Sequence, residues 1–267
     1  MLNNISFGQF FPTNSFIHKL DARIKLLFTL GLIVVAFVAE NFVSLAVVAL
    51  FTLLVMILSN IPVKMYLKTL KSIWFFVVLT AIINLFFVKT GALIVNFYSI
   101  QIYTGGVFKA IFIAIRIFLL IIISSALTYT TTPTSLTDAI ESLLKPLKKI
   151  GVNTHTFAMI MTIALRFIPT LIEETDKIMS AQKARGASLE TGSIIKRIKA
   201  VIPILIPLLA SSIRRAFELA DAMECRCYHG GEGRTRLKVM KCSKRDYITA
   251  MIFVLFVAVV VLLNILF

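Results

Sequence analysis

Apolar residues run through this chain in long blocks separated by short polar breaks, which is the pattern of helices that cross a bilayer. Five blocks approach the roughly 20 residues that a hydrocarbon core about 30 Å thick requires. They are Leu26 to Ala39, Phe42 to Leu58, Ser72 to Val88, Phe108 to Thr130 and Tyr247 to Phe267. Only Glu40 and Asn41 part the first two, so a tight helical hairpin with a polar tip is expected there. Between the fourth and fifth blocks the pattern changes. Leu136, Ile140, Leu143, Leu144 and Leu147 recur at helical spacing, as do Ile160, Ile163, Ala164, Phe167 and Leu171, with charges between them. That periodicity predicts amphipathic helices that lie on a membrane surface or on other helices.

Composition agrees: 58% of the 267 residues are hydrophobic, 15% are charged, and the mean hydropathy is +0.92. No ordinary water-soluble globule has that balance. The predicted class is an all-α integral membrane protein of about five transmembrane helices with long cytoplasmic helices. Residues 1–132 are read as a membrane domain of four spans, 133–245 as a cytoplasmic helical domain and 246–267 as a closing span. The first twenty residues are polar and broken by Pro12, so no cleaved signal is expected.

A formal charge of +15 would indicate nucleic acid in a soluble protein, but here it sets topology, and no nucleic-acid partner is expected. Lys19, Arg23 and Lys25 precede the first block, and Lys64, Lys68 and Lys71 lie between the second and third. Nineteen of the 28 basic residues fall in 133–245. These groups are expected on the cytoplasmic side, which leaves the N-terminus inside and the C-terminus outside a multi-pass cell-membrane protein. The opposite side receives Lys89 and Lys109 around a stretch of β-formers, Ile100 to Tyr103. Cys225, Cys227 and Cys242 are the only cysteines, so a reducing compartment is expected.

Two stretches of the basic domain echo each other. Pro169 leads after sixteen residues to Ala184-Arg185-Gly186, and Pro207 leads after nineteen to Cys225-Arg226-Cys227. Each is read as a helix started or kinked by proline, about 25 to 30 Å long, with an arginine at its tip. Ala181, Ala184, Ala210, Ser211, Ala216, Ala220 and Ala222 are small enough to let two such helices cross closely. An arginine there serves as an ordinary helix cap or, when paired on two arms, as a docking fork for a partner's carboxylate.

Leu165-Arg166-Phe167-Ile168-Pro169, Ala181-Gln182-Lys183-Ala184-Arg185-Gly186, the helix from Arg214-Arg215-Ala216 to Glu224-Cys225-Arg226, and Leu20-Asp21-Ala22-Arg23-Ile24-Lys25 together resemble EcfT, the transmembrane T component of energy-coupling factor transporters. The resemblance covers nearly the whole chain. The second tip departs from it in lacking the glycine. The resemblance implies a non-catalytic scaffold in an ABC importer, joining two ABC ATPases to a small substrate-binding membrane subunit, the S component, that captures a vitamin or a transition-metal ion. It implies that Ala184, Arg185, Gly186, Cys225, Arg226 and Cys227 dock the ATPases, that ATP and Mg are bound by those partners, and that no cofactor or metal is held by this chain.

Leu143, Leu147, Phe157 and Met161 are expected either to meet the S component or to pack on the chain's own membrane core. Other constellations carry less. Cys225, Cys227 and His229 lack a fourth ligand, and the turn through Gly230, Gly231 and Gly233 lacks the Lys-Ser/Thr ending of a phosphate loop. His18 and His155 are read as isolated loop or interface residues. The acidic group Glu173, Glu174 and Asp176 is expected to pair with Lys177 and Lys183 or with Arg214 and Arg215. Arg116, alone inside an apolar block, either contacts another helix or the S component, or snorkels outward with Lys109. A proton-coupled carrier would need carboxylates inside the spans. A lipid-processing enzyme would need an acidic pair on a membrane helix, and Asp138 with Glu141 is the nearest spacing.

Overall fold

The computed structural model describes residues 10–97, 100–146, 154–186, 194–230 and 242–266. Their order is α1 (Ala22–Val38), α2 (Phe42–Ser59), α3 (Val63–Phe87), β1 (Leu93–Phe97), β2 (Ile100–Tyr103), α4 (Thr104–Thr130), α5 (Pro133–Leu144), α6 (Thr154–Ala184), α7 (Ile194–Glu224) and α8 (Lys244–Leu266). The chain is an all-α membrane protein whose one departure, among the described residues, is an antiparallel hairpin of β1 and β2. That hairpin falls on the β-formers noted in the sequence. The chain divides into two compact units: Gly8–Ala139 with Val239–Phe267, and Met1–Phe7 with Ile140–Lys238.

In the first unit α4 is the central element, packed against α1, α2 and α3, while α8 closes on α1 and α2. Leu32, Val35, Leu45, Val48, Leu119 and Val260 form its core, and stacked rings tie α8 to its neighbours, Phe51 to Phe256 at 4.1 Å and Phe28 to Phe253 at 4.6 Å. A side chain at Gly31 would run into the Phe253 ring. A second cluster, Ile61, Tyr66, Ala126 and Tyr129, seats the α2–α3 turn on α4. There the Tyr66 hydroxyl meets Ser59 at 3.2 Å and the Tyr129 hydroxyl meets Thr69 at 2.6 Å, so each buried phenol has a polar partner.

Asp21 caps α1, accepting from the Arg23 backbone N–H at 2.9 Å and pairing with its guanidinium at 2.7 Å. Asp246, almost wholly buried, accepts from the backbone N–H of Asp21 at 3.0 Å and of Ser243 at 2.6 Å, so one carboxylate joins the starts of α1 and α8.

The far end of α1 explains Arg116. Seventeen residues rise only about 25 Å, short of a bilayer core, so the last carbonyls of α1 need partners from the protein. The Arg116 guanidinium on α4 donates to the Ala39 carbonyl and lies over the Phe112 ring at 4.8 Å, while the Asn264 amide on α8 donates to the Val38 carbonyl at 3.0 Å. Asn264 also accepts from the Glu40 N–H at 3.1 Å. Of the two readings of Arg116, contact with another helix is the one observed.

Among the described residues six helices are long and apolar enough to cross a membrane: α2, α3, α4, α6, most of α7, and α8. The five blocks of the sequence correspond to α1, α2, α3, α4 and α8. α3 starts nine residues earlier than its apolar block, because Lys64, Lys68 and Lys71 are good helix formers that continue the same helix beyond its apolar part. That α6 and α7 also pass on length and composition was not read from the sequence.

Candidate functional site

The echo seen in the sequence becomes two helices of 31 residues, α6 and α7, each about 46 Å long. They are longer than expected because the prolines stand inside them rather than at their starts: Pro169 in α6, Pro203 and Pro207 in α7. An interior proline removes one hydrogen bond and frees the carbonyl four residues before it. In α7 that carbonyl belongs to Pro203, since Pro207 has no N–H to offer. The Gln182 amide of α6 reaches it at 3.3 Å.

Three contacts fix how the helices run. Gln182 meets Pro203; Glu174 accepts from Arg215 at 2.7 Å and from the Ser211 hydroxyl; the Tyr228 hydroxyl contacts the Met159 sulfur at 3.0 Å. Rising numbers on α6 meet falling numbers on α7, so the pair is antiparallel from end to end. The seam on α7 follows Ile204, Leu208, Ser211, Arg215, Leu219 and Met223, buried or half-buried at helical spacing. The small residues expected there, Ala181, Ala184, Ala210, Ala216, Ala220 and Ala222, are instead exposed, and only Ser211 sits in the seam. Counting alanines did not reveal which face of the helix they share.

Antiparallel packing sends the two arginine tips to opposite ends, roughly 35 Å apart by helical rise from Pro203 to Arg226. Locally the tips match. Gly186 takes a left-handed φ of 86° and its N–H returns to the Lys183 carbonyl at 3.0 Å. No atom crowds the place where a Cβ would stand, so the backbone angle alone calls for glycine. In the second tip Cys227 takes the same role at φ 53°, its N–H bonding to Glu224 at 2.8 Å and that of Tyr228 to Met223 at 3.0 Å. That pair of bonds is a Schellman cap, made here without glycine. Arg185 and Arg226 therefore occupy the same position, one residue before the left-handed turn. Both are exposed, and among the described residues neither guanidinium has a partner.

Phe157 and Met161 on α6 are exposed and Leu143 on α5 is half-buried; Leu147 lies outside the described residues, as does the turn from Gly231 to Arg236. His155 is not isolated: its ring meets the buried Glu141 carboxylate at 3.3 Å. His18 lies between Ser15 Oγ at 2.7 Å and the Phe11 carbonyl at 3.0 Å. Sequence reasoning missed the Gln182 to Pro203 tie, although two prolines four apart are its signal. Of the pairings open to the acidic group, the structure makes Glu174 with Arg215.

The Ser211 hydroxyl and the Arg215 guanidinium hold the Glu174 carboxyl below its ordinary value of 4.5. A carboxylate favoured in the folded state contributes stability above its unfolded pKa and loses it as pH falls through the folded one. Glu174→Gln should therefore lower the melting temperature at neutral pH, and the gap from the unmodified chain should shrink as acidification proceeds below 4.5. A pH-independent difference would assign the effect to packing.

The chain is thus a multi-pass helical membrane protein whose second unit carries two matched, exposed cationic tips. Residues 13–237 match the family model CbiQ, described as cobalt transport protein. The chain is 49% identical over 267 residues to the energy-coupling factor transporter transmembrane protein EcfT of Ruminiclostridium cellulolyticum, covering all of both chains. It is 48% identical over 265 residues to EcfT of Clostridium kluyveri, covering 98% of this chain and 97% of that one. With EcfT of Bacillus subtilis the identity is 42% over 246 residues, 92% and 93% of the two chains. The chain belongs to the EcfT family, the transmembrane components of energy-coupling factor transporters.

Proposed function

We propose that this chain is the non-catalytic scaffold of an ATP-driven importer, in which α6 and α7 carry the motion of two partner ABC ATPases to a small substrate-binding S component. The observation that carries the reading is the pair of equivalent arginines, Arg185 and Arg226, unpartnered among the described residues at opposite ends of one antiparallel pair. A guanidinium presents a rigid fork that matches a carboxylate, and a separation of about 35 Å suits two attachment points on two subunits rather than one. ATP and Mg belong to those subunits. The cargo is a vitamin or a transition-metal ion held by the S component.

The apolar side of the same helices supports the third partner. Phe157, Ile160 and Met161 near the start of α6, and Ile202, Leu205 and Leu209 toward the other end of the pair, are exposed, two greasy patches of a kind that mark contact with membrane or protein. Methionine and phenylalanine adapt to differing partners. Affinity purification of the tagged chain from native membranes should bring down two ATPases and a small membrane protein. Phe157→Asp with Met161→Asp should lose the small protein and keep the ATPases. A chain that purifies alone and is fully active in transport would overturn the scaffold.

The charges of α6 and α7 favour a place at the cytoplasmic surface over a crossing, since Glu173, Glu174, Asp176, Lys177 and Lys183 crowd the second half of α6. On that reading the exposed Cys225, Cys227 and Cys242 are cytoplasmic. An impermeant maleimide should leave them unlabelled in intact cells and label them in inverted vesicles. Thr90→Cys in a cysteine-free chain should behave oppositely, and the reverse pattern would invert the topology.

A further inference from the structure

The first unit contains a cavity of about 110 Å³ between α1, α2, α4 and α8, closed on one side by the segment before α1. Hydrocarbon dominates its wall: Phe28, Val55, Ile122, Leu127 and Phe253 line it, and the exposed Phe16 and Leu58 bring it to the surface of a membrane-embedded bundle. Its threonines have already used their hydroxyl hydrogens. Thr29 donates to the Lys25 carbonyl, Thr52 to Val48, Thr130 to Ala126 and Thr249 to Arg245, each at 2.7 to 2.8 Å.

Lys25 is the exception in this wall. It is 7% exposed and its ammonium donates to the Thr130 carbonyl at 2.9 Å and the His18 carbonyl at 3.4 Å. Among the described residues no acceptor takes its third hydrogen. The nearby carboxylates are committed elsewhere, Asp21 to Arg23 and Asp246 to two backbone N–H groups. Asp21 and Asp246 act on Lys25 through space without touching it, so its open N–H still favours an anion that can accept a hydrogen bond there. A soluble anion would leave the hydrocarbon wall unfilled, and a hydrocarbon would leave the ammonium unsatisfied. An amphiphile answers both.

We infer that this cavity binds an anionic phospholipid, with part of one acyl chain between α1, α2, α4 and α8 and the phosphate on Lys25. A hydrophobic cavity of about 150 Å³ accepts a molecule the size of benzene, so 110 Å³ takes a few methylenes and the rest of the lipid stays in the bilayer. The exposed Lys19, Lys244 and Arg245 on the same edge add positive potential that favours an anionic over a zwitterionic headgroup.

The test uses tryptophan quenching by brominated lipid. Trp74, the one native tryptophan, is exposed on α3 away from the cavity and reports bulk lipid. Leu58→Trp with Trp74→Phe reports the mouth. The full chain is reconstituted in phosphatidylcholine vesicles with about a tenth of brominated phosphatidylglycerol, alongside a matched set with brominated phosphatidylcholine. Quenching at the mouth by the anionic lipid should exceed its mole fraction several-fold, while quenching of Trp74 should track it. Lys25→Met should remove the excess, and so should Val55→Phe, which fills the cavity and keeps the lysine. Lys64→Gln, on the same edge but outside the wall, should keep it. Quenching at the mouth that only tracks mole fraction, or an excess that falls equally with Lys64→Gln, would overturn the site.

Discussion

Replacing Arg185 and Arg226 together with glutamate should, in the proposed complex, release both ATPases from the chain and abolish ATP-driven uptake, while the proposed S component still binds its cargo. Truncating one partner of a buried, charge-assisted contact costs about 2 to 5 kcal/mol, which is about 30-fold to more than 1,000-fold in affinity. Each single substitution should therefore weaken attachment and cut uptake, and reversing both charges should do more. Lysine at either position should rescue in part, because it keeps the charge and loses the planar fork. Both side chains are exposed, and the backbone bonds of the tips do not involve them, so the chain's own melting temperature should stay unchanged. A double variant that retains its ATPases and normal uptake would leave the arginines as helix caps only.

Arg116→Met should clearly destabilise the membrane unit without touching its aliphatic core. It removes the donor to the Ala39 carbonyl where α1 ends short, and a lost hydrogen bond from a charged group costs about 1.5 to 3 kcal/mol. Arg116→Lys should recover part of this, again without the flat stacking over Phe112. Asn264→Leu should cost less, about 1 kcal/mol, since both its bonds, to Val38 and from Glu40, are neutral and exposed to solvent competition. Thermal unfolding in detergent reads all three, with Lys109→Met as the near-neutral control. Equal melting of the Arg116→Met and Lys109→Met chains would mean that the guanidinium merely reaches for the surface.

The apolar helices were legible because the bilayer imposes a length, and α1, α2, α3, α4 and α8 each fall on an apolar block, although α1 is too short to pass as a span by itself while α6 and α7 pass. The first arginine tip was legible because Gly186 marks a left-handed cap, and the second because its helix echoes the first. What the sequence concealed was relational. Proline reads as the start of a helix or a kink within it, and in α6 and α7 it is interior, with helix on both sides and Gln182 taking up a freed carbonyl. Alanine content spoke of close crossing without saying which stripe faces the partner, and the seam runs instead through Ile204, Leu208, Ser211 and Arg215. The left-handed turn at Cys227 was equally hidden. L-residues pay about 1–2 kcal/mol there, and local sequence gives no sign that the Schellman bonds outweigh it.

The contact of Glu174 with Ser211 divides the helix pair unevenly. Eleven residues separate Glu174 from Arg185 and fifteen separate Ser211 from Arg226, which makes arms of roughly 16 and 22 Å about that point. Scissoring by about 10° would carry the first tip about 3 Å and the second about 4 Å. In the proposed complex, two ATPases that close symmetrically would demand equal strokes from unequal arms. The crossing point must then slide along the seam, or one arm must turn further than the other, and each closure gives the pair a net sideways displacement.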